Sequence, residues 1–264
     1  MNLHHYKIFL LFLIVAMSSV VFGKSSGTLS GHGHSGDITR TLGLNVSNSL
    51  QRKLAENITK TFAKYIDSQD DASALNRRIK QIVPGFSLGS YTHRLYFHWG
   101  FNGDPRRSVA LKHRIKESEA SSDQVAMIWD IIIEVQAQRN KGMMDAIKNA
   151  IQEKNKKPCE LTHYEINALA SIVYDVHILG DYVKGTASAQ LALQSFDAVV
   201  GDLIRASRKL GSNDYKSLNS LKNEINSAKF SGSPSQSAER MLRVLAKYIP
   251  LLINSSPRLK SALY

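Results

Sequence analysis

The stretch that decides the fold class is residues 50–66, which read LQRKLAENITKTFAKYI. Its apolar residues recur at every fourth position: Leu50, Leu54, Ile58, Phe62 and Ile66. This spacing places side chains along one face of an α-helix, with the polar residues between them turned to solvent. The stretch therefore predicts an amphipathic helix that buries one side against a core.

The same periodicity continues towards the carboxyl terminus. It predicts helices over 71–82, 106–118, 122–153, 160–182, 187–210, 215–227 and 235–253. Residues 84–105 break the pattern, because glycines and prolines interrupt an aromatic stretch there. No run of alternating polar and apolar residues predicts a sheet. The fold class is therefore all-α, a multi-helix bundle with one long glycine- and aromatic-rich loop.

The amino terminus has the pattern of an export signal. Residues 1–23 combine a polar start containing Lys7 with an apolar run from Ile8 to Val15 and small residues up to Gly23. The apolar run is short for a membrane span, which needs about 20 residues. We expect a signal peptide at 1–23, a flexible Gly/Ser/His linker at 24–40 and a single helical domain at 41–264. The destination would be the periplasm, the extracellular space or the secretory pathway.

Charge and cysteine content limit the partners and the stabilising devices. The chain carries 34 Lys and Arg against 22 Asp and Glu, a net charge of +12. Positive charge favours anionic partners, here nucleic acid or phospholipid as substrate. The single cysteine, Cys159, excludes an internal disulfide, so the core must hold the fold.

Histidines identify where chemistry could occur. After the amino-terminal segment they are His93, His98, His113, His163 and His177, with none in the last third of the chain. His32 and His34 could also bind a metal, although a mobile linker is the favoured interpretation of their segment. His93 and His98 fall in the irregular loop, a type of segment that often carries function.

The helix predicted over 160–182 places His177 and Asp181 one turn apart on one face. Apolar neighbours indicate that this helix is buried, and an uncompensated carboxylate there would be costly. A cation held by the imidazole and the carboxylate would compensate it, as zinc accepts both ligand types. Arg94, Arg114 or a histidine acting as an ion-pair partner would serve equally well.

Residues 168–182, ALASIVYDVHILGDY, resemble the metal-ligand helix of the zinc-dependent phospholipase C and single-strand nuclease superfamily. Its members are all-α proteins, often secreted, that hold three zinc ions. The resemblance implies that His177 and Asp181 are zinc ligands, and that Thr92-His93 opens an earlier ligand-bearing helix. The family's later histidine ligands have no counterpart after Asp181, which implies one or two zinc ions rather than three.

This resemblance defines a set of candidate site residues. The metal ligands are drawn from His93, His98, His113, His163, His177 and Asp181. Asp104 or Asp175 would orient or deprotonate a water, and the substrate contacts would come from Arg94, Arg106, Arg107 and, by stacking on a base, Trp99.

We therefore expect an exported phosphodiester hydrolase of the nuclease or phospholipase C type, with a reduced zinc site. The alternative is a non-catalytic secreted helical protein that binds a partner or polyanion, with His177 and Asp181 in a structural ion pair. An adjacent His-Asp pair and a P-loop are absent from the sequence. The Gly-x-Ser-x-Gly strings at 23–27 and 85–89 and the Gly-x-Gly-x-x-Gly string at 31–36 follow no predicted strand, as a hydrolase elbow or a dinucleotide-binding loop would.

Overall fold

The computed structural model describes residues 34–66, 69–87, 100–185 and 189–264. Within these ranges the regular elements are α-helices and one 3-10 turn, and no strand occurs. The helices are α1 (Ser35–Leu42), α2 (Ser49–Ile66), α3 (Gln69–Ile82), α4 (Val109–Glu117), α5 (Ser122–Asn155), α6 (His163–Val183), α7 (Ala189–Leu210), α8 (Tyr215–Ala228), α9 (Pro234–Asn254) and α10 (Pro257–Leu263). The prediction of an all-α bundle is confirmed.

Local sequence signals set where the helices begin. A capping box starts three of the helices, at Ser121, Thr162 and Ser233. In each box the Ser or Thr side chain accepts a hydrogen bond from the backbone N–H three residues later, and the Gln or Glu side chain of that later residue accepts one from the backbone N–H of the Ser or Thr. The 3-10 turn Pro105–Arg107 precedes α4, and Asp104 caps the start of this turn. These caps explain why the predicted helix starts agree closely with the observed ones.

Helix α2 confirms the stripe that decided the fold class, with one exception. Leu54, Ile58, Phe62 and Ile66 are buried, whereas Leu50 is 51% exposed. Leu50 lies in the first turn of α2, just after Ser49 begins the helix. The stripe therefore meets the core only from Leu54 onwards.

Helix α6 is the centre of the bundle. It packs against α7, α9, α5 and α1, and every residue from Ala168 to Tyr182 is buried. A helix that is apolar on all sides must be covered on all sides. Any polar side chain between Ala168 and Tyr182 is therefore held inside the protein, and His177, Asp181 and Asp175 are among them.

Helix α1 corrects the expected extent of the flexible linker. Residues 35–40 belong to this helix, and Ile38 and Leu42 are almost completely buried. The helix packs against α9, α6 and α2, and its last carbonyl, that of Leu42, accepts a hydrogen bond from the Tyr264 hydroxyl at 2.9 Å. Apolar residues spaced on one face of this short helix outweigh the Gly/Ser/His composition of the residues before it.

Three expectations, two at the amino terminus and one in the long loop, fall outside the described residues. The signal peptide at 1–23 and the linker up to residue 33 are among them, and so are residues 88–99 of the glycine- and aromatic-rich loop. In the part of the chain that the structure covers, no helix has the length and hydropathy of a membrane span.

Candidate metal centre

The centre of the candidate site is the pair that α6 presents. His177 and Asp181 are one turn apart, and their residues are 2% and 7% exposed. The prediction that they share a buried face of this helix is confirmed. Because α6 is buried from Ala168 to Tyr182, whatever compensates the Asp181 carboxylate must come from a neighbouring element or from a bound ion.

The neighbouring element is the start of α1, which brings His34 to the pair. His34 immediately precedes the helix and is 2% exposed. Its Nε2 lies 3.3 Å from the Asp181 Oδ1, and its ring centroid lies 4.1 Å from that of His177. One ligand atom from each of the three residues lies within 4.8 Å of the other two. We call His34, His177 and Asp181 the His-His-Asp group.

Gly180 explains how the imidazole of His34 can come so close to α6. A Cβ atom on Gly180 would lie 2.3 Å from the Nδ1 of His34 and 2.7 Å from its Cε1. Any larger residue would therefore displace the ring. The glycine next to Asp181 leaves the space that the ring of His34 occupies, a role that its position in the helix alone does not reveal.

The spacing of His34 and Asp181 within the His-His-Asp group suits a small divalent cation. Zinc bonds to imidazole nitrogen and carboxylate oxygen are about 2.1 Å long, so two ligand atoms of a tetrahedral site lie about 3.4 Å apart. The 3.3 Å separation of His34 Nε2 and Asp181 Oδ1 already has this value. Two imidazoles and one carboxylate are also a ligand set that divalent zinc and iron accept. The residues present fit a metal ion.

Lys184 stands at the solvent side of the group. It caps α6, its side chain is exposed, and its Nζ lies 3.5 Å from the Nε2 of His34. The same nitrogen of His34 therefore faces both the carboxylate of Asp181 and the ammonium of Lys184. The other ring nitrogen, Nδ1, has no hydrogen-bond partner among the described residues and is packed against Gly180.

Asp175 does not take part in this group, which corrects its expected role beside the metal. It lies two residues before His177, so its side chain leaves α6 on a different side of the helix. There the carboxyl is fully buried and neighbours Asp202 of α7, and its two oxygens have no hydrogen-bond partner in the covered part of the chain. Burial and then the charge of Asp202 raise the pKa of Asp175 well above its usual range.

His113 and His163 also lie apart from the group. The side chain of His113 is 70% exposed, and its Nδ1 lies 3.3 Å from Glu117 on the same helix. His163 is exposed in the first turn of α6, where its ring meets Tyr164 edge to face. Both side chains lie on helix surfaces that face solvent, so the structure does not support them as ligands.

Asp104, Arg106 and Arg107 form a surface turn. The carboxylate of Asp104 accepts from the backbone and the side chain of Arg106 at 3.0 and 2.9 Å. This contact with the Arg106 guanidinium lowers the pKa of Asp104. The turn packs against α4 and α5, and Arg107 is exposed. Its geometry is that of a capped turn that opens a helix, rather than that of a base beside a metal.

Four predicted site residues lie outside the described residues: His93, Arg94, His98 and Trp99. Their proposed roles as ligands and substrate contacts stay predictions. The residue that the prediction missed is His34, although the Gly-His-Gly-His run at 31–34 had marked its segment as able to bind a metal. Its glycine-rich surroundings favoured a linker instead.

Comparison with known proteins adds no relative to this description. No family model, no curated protein and no solved structure matches the chain. The site must therefore be interpreted from its own geometry.

Proposed function

We propose that this chain is an exported zinc protein in which His34, His177 and Asp181 hold the ion, and that it hydrolyses phosphodiesters. The observation that carries the proposal is the meeting of these three side chains in a buried position. Two come from the central helix and one from a separate element. A buried carboxylate beside two imidazoles is a ligand set that binds a divalent cation.

The three ligands that the described residues supply are the number typical of a catalytic ion rather than of a structural one. Structural zinc sites use four protein ligands, whereas catalytic sites use three and keep one position open. When bound, such an ion supplies Lewis-acid chemistry and lowers the pKa of a coordinated water towards neutrality. The three residues would hold and orient the ion. The contact of His34 with Gly180 would fix its ring in place.

Three sequence features support an exported hydrolase of phosphodiesters. Residues 1–23 have the pattern of a signal peptide, and residues 168–182 resemble the zinc-ligand helix of secreted nucleases and phospholipases C. The net charge of +12 favours an anionic substrate, either nucleic acid or phospholipid.

Elemental analysis tests the ion directly. The chain purified after export from a host cell should contain close to one zinc per molecule, and His177→Ala should contain almost none. His113→Ala is the matched control, because that imidazole is exposed and lies on α4, outside the group. Retention of zinc by His177→Ala, or its absence from the gently purified parent chain, would contradict the site. Stoichiometric iron or manganese instead would contradict the identity of the ion.

Chelation tests whether the ion stabilises the fold. An ion present at about 1,000 times its Kd stabilises the folded state by about 4 kcal/mol, which corresponds to a shift of roughly 8–16 °C in the Tm of a chain this long. EDTA should lower the Tm of the parent chain by this order and leave that of His177→Ala unchanged.

Hydrolysis of bis(p-nitrophenyl) phosphate tests the activity separately from the ion. The parent chain should release nitrophenol, and His177→Ala should not. A zinc-loaded chain without this activity would leave the ion in place and contradict the hydrolase. A chain with neither ion nor activity would favour the alternative, a non-catalytic binding protein in which Asp181 is held in a structural ion pair with His177 or with His34.

A further inference from the structure

Lys184 is the charged side chain at the exposed edge of the His-His-Asp group, and the proposed zinc site does not use it. Its ammonium lies 3.5 Å from the Nε2 of His34. The same Nε2 lies 3.3 Å from the Asp181 carboxylate. This nitrogen is therefore the atom of His34 that faces the centre of the group.

The Nε2 atom cannot satisfy both neighbours at once. If it carries a proton, it donates to the carboxylate but presents that N–H to the ammonium of Lys184. If it carries a lone pair, it accepts from Lys184 but faces the negative charge of Asp181. A cation between His34 and Asp181 would take the lone pair and the carboxylate oxygen together. The ammonium of Lys184 would then have lost its acceptor and would face a second positive charge.

We propose that an oxyanion of the phosphate type, with one oxygen on the ion and another on the Lys184 ammonium, completes this site. The inference rests on the proposed zinc site, since it is the ion that would take the Nε2 lone pair of His34 from Lys184. An anion placed between the two cations removes their repulsion and fills the position that the three ligands among the described residues leave open. Lys184 is exposed whereas His34 and Asp181 are buried, so the anion would enter from this side.

The surroundings of Lys184 agree with an anion. The first turn of α9 reaches the end of α6, where the Ser235 hydroxyl donates to the backbone carbonyl of Val183 at 3.2 Å. The partial positive charge at this end of α9 offsets the partial negative charge at the carboxyl-terminal end of α6, which Lys184 caps. A lysine is also a point charge with freely rotating donors, which suits a tetrahedral phosphate that has a second oxygen on a metal.

The test measures how much phosphate and zinc strengthen each other's binding. Zinc affinity is titrated against a chromophoric chelator, with and without inorganic phosphate, for the exported chain and its variants. We expect phosphate to raise the zinc affinity of the parent chain about tenfold, within the usual range of coupling between two ligands. In Lys184→Gln this coupling should vanish, while zinc affinity without phosphate should rise several-fold because the repulsion is gone. Lys184→Arg should retain part of the coupling.

Lys216→Gln is the matched control. Lys216 is exposed in the first turn of α8. It lies beyond the end of α7, which contacts the start of α6 through the hydrogen bond from Lys209 to Asn167. This is the opposite end of α6 from Lys184, so Lys216→Gln should keep the full coupling. Equal coupling in the parent chain and Lys184→Gln would overturn the inference, and so would the absence of any phosphate effect on a chain that binds zinc.

Two further outcomes distinguish failure of the zinc site from failure of the inference, and a phosphodiester from free phosphate as the anion. If the parent chain binds no zinc at all, the proposed site fails, and the inference that rests on it fails for that reason alone. A repeat with diethyl phosphate distinguishes a phosphodiester from free phosphate. Coupling by both anions supports a diester as the occupant, and coupling by inorganic phosphate alone supports an occupant of the size of the free ion. Either result supports the role of Lys184.

Discussion

Gly180→Ala should separate metal binding from folding, because this glycine controls the position of His34. The new Cβ would lie 2.3 Å from the Nδ1 of His34. An ordinary contact between such atoms is about 3.5 Å, so the ring must withdraw by roughly 1 Å. The 3.3 Å separation between His34 Nε2 and Asp181 Oδ1 would then exceed 4 Å by a rough estimate, and one of three ligands would be lost.

The expected magnitudes differ for binding and for stability. Perturbing a supporting residue of a metal site lowers metal affinity about 10- to 100-fold. Displacing a ligand should lower zinc affinity by at least about 100-fold, which corresponds to about 2.7 kcal/mol of binding free energy. The free energy of unfolding without metal should fall by only about 0–2 kcal/mol. Overpacking costs about 1–3 kcal/mol, but alanine in place of glycine favours a helix by about 1 kcal/mol.

Zinc competition titration and thermal unfolding, each with and without zinc, measure both effects. Gly142→Ala is the control, because Gly142 lies in α5, outside the His-His-Asp group. A Cβ on Gly142 would lie 2.5 Å from the ring of Tyr65. This variant should carry a comparable steric cost and bind zinc as the parent chain does. A folded Gly180→Ala that also binds zinc with parental affinity would refute the argument that His34 is a ligand.

Two further variants test the interior of α6 and its beginning. Asp175→Asn should stabilise the fold at neutral pH, since the native state keeps a proton on this raised-pKa carboxyl that the unfolded chain releases above about pH 4. The free energy of unfolding of the parent chain should thus fall relative to that of the variant as pH rises from 4 towards 7. Urea unfolding measures this difference at pH 4.5, 6 and 7.5, and a difference that stays the same at all three pH values would argue against the prediction. Thr162→Ala should lower the free energy of unfolding by about 0.5–2 kcal/mol, because its hydroxyl accepts from the backbone N–H of Glu165 at 3.2 Å. An unchanged denaturation midpoint would show that this cap contributes little.

Much of the fold could be predicted because helix formation leaves a local record. The four-residue spacing of Leu54, Ile58 and Phe62 requires a helix with one buried face, whatever the rest of the chain does. The capping box at Thr162 likewise depends only on residues three apart. The same local geometry placed His177 and Asp181 together, because residues four apart on a helix share a face.

The partners of that face could not be predicted in the same way. His34 reaches Asp181 only because the apolar side of α1 packs against α6 and α9, and because Gly180 leaves room for an imidazole. Neither condition is visible in the residues around His34, whose glycine-rich neighbours are typical of a linker. His113 and His163 show the converse, since a helical histidine can be a ligand only if tertiary packing turns it inwards.

The amino-acid sequence alone determined the helical class, most helix boundaries and the pairing of an imidazole with a carboxylate on one buried helix. All of these depend on interactions within a few residues. Only the tertiary structure decided that His34 completes the group, that Asp175 faces Asp202 instead, and that Lys184 stands at its exposed edge. The physical reason is that side chains far apart in the chain come together only through packing of whole helix faces, which no local pattern encodes.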